Sequence, residues 1–223
     1  MTESSSGTTR RTVLTSAGIA GAAGLGARAP QAGAAGDRGV AVGRPGESVV
    51  EFRGRITQSG PTGEAFTSNG FLIDVAGLQP ADLFAADPPA VGTALYTAHA
   101  TGELRARVLD QSVHSLDIVG ELSVFHRSTP GADFSDPGSF TVGVLVARYA
   151  LTLQDVLAVF APARGLPTLT GEMRQTLVGR LPGGDRFGSP NTLLRMFATG
   201  LGMLTDPVTL NAELEIAGNW SVP

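Results

Sequence analysis

The stretch Val113-His114-Ser115-Leu116-Asp117-Ile118-Val119-Gly120-Glu121-Leu122-Ser123-Val124-Phe125-His126 decides the fold class. Its side chains alternate with the period of two that a pleated strand imposes, and Asp117 and Glu121 fall on one face. Turn signals punctuate the chain on both sides: Gly60-Pro61-Thr62-Gly63, Pro130-Gly131, Asp136-Pro137-Gly138 and Pro182-Gly183-Gly184-Asp185. Between them, strands are predicted over 49–57, 64–75 (broken near Asn69-Gly70), 93–101, 151–160, 169–177, 193–201 and 210–216. Residues 104–108 continue the third of these or begin the next, and 140–150 is an almost wholly apolar run. One short helix is expected over 78–86, with Pro80 in its first turn. Eight or more strands with no long helix predict an all-β domain, a closed barrel or a sandwich.

Composition narrows the chemistry. The 223 residues include no cysteine, which excludes disulfides, thiolate metal sites and cysteine nucleophiles together. Lysine is also absent, so there is no Schiff-base chemistry. A net charge of -4 provides no basic footprint for nucleic acid. Low charge, 30 glycines and short apolar runs fit a sheet protein better than a helix bundle.

The amino terminus reads as an address. Thr8-Thr9-Arg10-Arg11-Thr12-Val13-Leu14 matches the twin-arginine export pattern. A mildly apolar Gly/Ala segment follows, too weak and short for a stable membrane span. Small-residue cleavage sites end at Ala29 and Ala34; cleavage after Ala34 is preferred because Pro30 sits directly behind the first scissile bond. The organisation expected is therefore a signal peptide over 1–34, a flexible linker over 35–48 and a β-barrel domain over 49–223. The implied partner during export is the twin-arginine translocase, and the place of action is outside the cytoplasm.

Catalytic motifs are scarce. His99, His114 and His126 have spacings that fit no metal signature, and no metal or cofactor is expected. There is no G-x-S-x-G elbow, and Gly200-Leu201-Gly202 lacks the third glycine of a nucleotide loop. The ionisable residues of interest stand in apolar runs: Glu51 between Val50 and Phe52, Asp74 after Ile73, Asp117, Glu121, and Arg148 before Tyr149. Pointing to solvent is the ordinary state for such residues, but a small-molecule cavity also needs a few polar groups inside.

Three segments carry a family resemblance: Val50-Glu51-Phe52-Arg53, Gly63-Glu64-Ala65-Phe66-Thr67-Ser68-Asn69 and Val91-Gly92-Thr93-Ala94. In that order they resemble the opening of the plant allene oxide cyclases and their bacterial barrel relatives. Asp136-Pro137-Gly138-Ser139-Phe140 and Leu169-Thr170-Gly171-Glu172 fall where that family's strands meet Gly-rich turns. The resemblance implies an eight-stranded closed antiparallel barrel of the calycin kind, often trimeric, with an apolar cavity and no cofactor. A homo-oligomer, trimer or dimer, is among the partners it suggests. The family's catalytic glutamate maps onto Glu51, and its water-holding asparagine maps onto Asn69. Phe52, Phe66, Phe71, Tyr96, Asp117, Glu121 and Tyr149 are expected to touch the ligand. Arg53 replaces the second asparagine of the family's first strand, which departs from the cyclase pattern. A secreted bacterial pyocyanin demethylase has the same general build.

The leading expectation is a secreted, cofactor-independent cyclase or isomerase for an apolar small molecule, such as a polyketide or oxidised lipid of natural product biosynthesis. The alternatives are a lipocalin-like carrier without chemistry and a demethylase of the pyocyanin type. Alternation decides part of this: if Val50, Phe52 and Ile56 line the interior, Glu51 points outward and the carrier takes the lead. For export, replacing Arg10 and Arg11 together by lysine is expected to hold the precursor in the cytoplasm. Fractionation of expressing cells checks this, and normal export of the double variant would overturn it.

Overall fold

A computed structural model describes residues 39–223, so the predicted leader lies outside the described residues. The strands are β1 (Gly39–Val40), β2 (Ser48–Ser59), β3 (Ala65–Val75), β4 (Tyr96–Asp110), β5 (Val113–His126), β6 (Val144–Ala161), β7 (Arg164–Val178), β8 (Arg186–Phe187), β9 (Leu193–Asp206) and β10 (Asn211–Ser221). Eight of them close an antiparallel barrel in the order β10-β2-β3-β4-β5-β6-β7-β9, and β1 pairs with β8 in a separate two-stranded ribbon. The expected closed eight-stranded antiparallel barrel is therefore present.

The alternation visible in the sequence becomes the inside and outside of this cylinder. On β2, Val50, Phe52, Gly54, Ile56 and Gln58 are buried and face in, while Glu51, Arg53, Arg55 and Thr57 are exposed. On β5, Leu116, Ile118, Leu122 and Val124 are the buried inward set.

Several elements differ from the sequence reading. Residues 140–150 and 151–160 do not form separate units, because no turn residue interrupts the alternation and 144–161 runs as one strand. β4 likewise absorbs 104–108, with the register shifting between Leu104 and Ala106. Asn69-Gly70 does not break β3; the irregularity falls further along, where Ile73 of β3 is left unpaired opposite Glu51 and Phe52. The helix shrinks to one turn, Pro80–Leu83.

The two ends of the barrel differ in kind. All the long connections leave from one end, where Val40, Leu83 and Phe187 are buried as a plug. Gln175 pins this plug: its Nε2 donates to the carbonyls of Leu177 and Phe187, and its Oε1 accepts from the Ser189 N–H. Among the described residues the opposite end has only short turns, 60–64, 111–112, 162–163 and 207–210, and none of these residues folds over it as a long segment. At the 111–112 and 162–163 hairpins, Gln111 and Ala163 take left-handed backbone angles, φ 45° and 60°, as tight two-residue turns require.

Curvature this tight brings neighbouring backbones close on the inner face. A Cβ on Gly200 of β9 would fall on the carbonyl oxygen of Glu215 in β10, which is backbone and cannot swing away. The Gly200→Ala variant is therefore expected to lose about 1–3 kcal/mol of stability, as overpacked interiors do. Chemical denaturation measures this, and an unchanged midpoint would contradict the close approach.

Candidate functional site

The inward surface is apolar over most of its length. At mid-barrel, Phe52, Ile56, Phe66, Ile118, Leu122 and Met196 surround about 60 Å³ of free space. Towards the short-turn end a second space of about 90 Å³ opens, walled by Leu116, Leu157, Leu204 and Leu214. Two inward positions without side chains, Gly165 and Gly202, face this space. Gln58, Arg107, His114, Asp155 and Arg164 bring polar groups to it.

Asp155 is the exception in this lining. On β6, Leu151, Leu153, Asp155 and Leu157 occupy the inward phase, and Asp155 is 3% exposed. Its register neighbours are Leu116 on β5 and Leu169 on β7, both apolar. One carboxylate oxygen, Oδ1, finds no hydrogen-bond partner among the described residues. Burial pushes the carboxyl up to about 6, and a backbone hydrogen bond from Thr168 opposes the rise.

The donors nearest to it are already engaged. Arg107 donates through Nη1 to the Thr62 carbonyl and through Nη2 to the Gly63 carbonyl, each at 2.9 Å. Gln58 Nε2 donates to the same Gly63 carbonyl at 2.7 Å. Both side chains thus clamp the β2–β3 turn. Arg164 lies on the outward phase of β7, at the rim, and His114 pairs in register with Leu157.

At the other end of the interior, two buried donors are unmet. Tyr149 is 0% exposed and Trp220 1%; their rings lie 5.7 Å apart, and neither the Tyr149 hydroxyl nor Trp220 Nε1 finds a partner. Burial drives the Tyr149 phenol far above its usual range. An unmet buried polar atom costs about 1–3 kcal/mol. Three of them facing one apolar interior mark positions that a ligand or ordered water would satisfy.

The residues expected from sequence divide by face. Phe52 and Phe66 line the mid-barrel space, Tyr149 lies deep inside, and Tyr96 packs at the plugged end, 4.8 Å from the His126 ring and 6.3 Å from Phe187. Glu51, Asp117 and Glu121 are exposed on the outer face and do not reach the cavity; Glu121 pairs there with Arg148 at 3.1 Å. Their alternation phase is the polar one, which is why they point to solvent. Phe71 and Asn69 are buried, but on the outer face. Phe71 packs edge-on against Phe84, while Asn69 Oδ1 accepts from His99 Nδ1 at 2.8 Å. Burial lowers the His99 pKa, so this pair is a neutral imidazole oriented by an amide. Glu51 and Asn69 therefore do not form one interior site. Among the described residues no group of three His, Asp or Glu gathers to hold a metal ion.

Sequence reading missed Asp155, Gln58 and Arg107. The signal for Asp155 was available: it continues the phase of Leu151, Leu153 and Leu157 and not that of Thr152 and Gln154.

The raised carboxyl has a stability consequence of fixed sign. Its pKa of about 6 in the fold exceeds the ordinary value of about 3.9, so the folded state binds the extra proton between these values. The contribution is fully present below about pH 4 and is lost as pH rises through about 6. Its size is about 2–3 kcal/mol at 1.36 kcal/mol per pKa unit. Asp155→Asn should remove this dependence, so the stability of the variant relative to wild type rises by that amount between pH 4 and pH 8. The difference is the readout, because the carboxylates of Glu64, Asp133 and Asp206 are held low, mainly by hydrogen bonds, and titrate in the opposite sense. A pH-independent difference in denaturation free energy would contradict the burial of the charge.

No protein family, curated protein or solved structure matches this chain.

Proposed function

We propose that this protein is a carrier barrel for a small apolar molecule, acting outside the cytoplasm after export by the twin-arginine route. The observation that carries the reading is the interior itself: two apolar spaces, one bordered by the unmet acceptor Asp155 Oδ1 near the short turns, the other lined by Trp220, whose Nε1 is an unmet donor. Such sparse, placed polarity inside an apolar cavity is how small-molecule sites fix orientation. The ligand enters between the short turns, past Leu204, Leu210 and Leu214, because the long connections occupy the other end. Neither free space alone reaches the ~150 Å³ of an apolar cavity that takes benzene, so the ligand is a slender, flexible chain that draws on both.

A second reading has two observations in its favour. The closed antiparallel barrel agrees with the build of the allene oxide cyclases, and Asp155 has the pKa of a proton carrier near neutrality. In a cofactor-independent isomerase or cyclase, Asp155 would take the part that the resemblance assigned to Glu51. Confinement to a reactive conformer would supply much of the rate. The carrier leads because the matched glutamate faces solvent and the second member of the expected pair, Asn69, lies on the outer wall.

Trp220 is the single tryptophan and sits in the lining, so it reports occupancy. Titration with n-hexanol is expected to shift its emission saturably. Gly202→Ala should weaken binding about threefold or more while the fold survives. The added Cβ would meet its nearest atoms at 3.5 Å, ordinary contact distance, yet it occupies the cavity. A linear, non-saturating response, or one indifferent to Gly202→Ala, would sink the carrier reading.

A further inference from the structure

We infer that the short-turn end of the cavity is an ammonium site, and that the barrel selects slender apolar molecules carrying a protonated amine. This rests on the small-molecule reading above and adds the chemical class of the ligand.

Hydrogen-bonding capacity stands unspent at this end of the cavity. Four polar side chains other than the rim residue Arg164 border the space beside Asp155. Arg107 uses one N–H of each terminal nitrogen on the carbonyls of the β2–β3 turn, and Gln58 uses one N–H of its amide on the same turn. The buried atom left unmet beside them is an acceptor, Asp155 Oδ1. His114 adds a ring that accepts through one nitrogen when neutral. An alcohol satisfies one such acceptor with a single proton. An ammonium offers three N–H donors and a charge opposite to that of the carboxylate, and charge-assisted bonds are roughly twice as strong as neutral ones.

The alternative head group is an anion, and the wall opposes it. A carboxylate tail at this depth would stand beside Asp155, where two like charges in an apolar surround force one to take a proton. The guanidinium of Arg107 cannot turn towards it without releasing the turn it clamps. Arg164 remains as a rim cation, but its place on the outward phase of β7 puts it outside the lining sequence Gly165, Pro167, Leu169. The lining below Asp155 is Leu153, Leu151 and their neighbours, so the rest of the ligand must be hydrocarbon over several carbons.

The test uses the full chain with three six-carbon probes at pH 7.5: n-hexylammonium, n-hexanol and hexanoate, each titrated against Trp220 emission and by calorimetry. The expected order is hexylammonium about tenfold or more tighter than hexanol, with hexanoate weakest. Asp155→Asn should bring hexylammonium down to the affinity of hexanol while leaving hexanol within about twofold. Loss of the charge is expected to favour the folded state at this pH, so the variant stays measurable. Hexanoate binding tightest would assign the site to the rim arginine and overturn the inference, as would an order unchanged by Asp155→Asn. If hexanol binds as well as hexylammonium, the ammonium site is wrong but the carrier survives. If none of the three binds, the carrier reading falls and takes the inference with it.

Discussion

Closure of the hydrogen-bonded cylinder is the constraint on which everything else in this molecule depends. β10 pairs along its length with both β2 and β9, so the first and last barrel strands leave no open edge. Once eight strands close, the radius is nearly fixed, and the interior is just wide enough for side chains to fill. Each inward position then either fills the tube or leaves space in it. Phe52, Phe66 and Met196 fill it at mid-height; Gly165 and Gly202 leave space near the short turns. The cavity is thus written residue by residue in the inward phase, with no loop needed to shape it.

The same closure makes the ends functionally unequal. Long segments cost chain entropy to order, and here they bury residues such as Leu83, Phe140 and Phe187, which offset that cost. All of them serve one end or wrap the wall beside it, as when Thr97 Oγ1 donates to the Phe140 carbonyl. The short-turn end buries little and spends its polar groups on fixing the β2–β3 turn. Rigidity at that turn holds Arg107 and Gln58 at the border of the cavity, with nitrogens bonded to the Thr62 and Gly63 carbonyls.

Much of the architecture was legible because alternation is a local signal. The bounds of β5 follow directly from residues 113–126, and the inward phase of β2 follows from Val50, Phe52 and Ile56. The merging of 140–150 with 151–160 was not legible, since a run of apolar residues has no visible phase until a partner strand supplies one. The site was harder still. Asn69 is buried as its apolar neighbours suggest, yet the wall that buries it is the outer one, covered by segments far away in sequence. Glu51 drew attention by resemblance to a motif, although its own phase put it in solvent.

That contrast between Glu51 and Asp155 has a physical basis. A carboxylate on the polar phase of a strand keeps its water, costs nothing, and therefore conveys nothing about function. A carboxylate on the apolar phase must give up water, and without a cation beside it the fold carries a penalty. Among the described residues Asp155 has no salt-bridge partner, only a backbone donor working against its desolvation. A leucine at that position would extend the hydrophobic core that Leu153 and Leu157 already build. The penalty is borne at a level of the barrel where the lining also opens into free space. An unstable charge and an unfilled volume in the same place are each other's explanation when a third component, a small cation with an apolar tail, completes both.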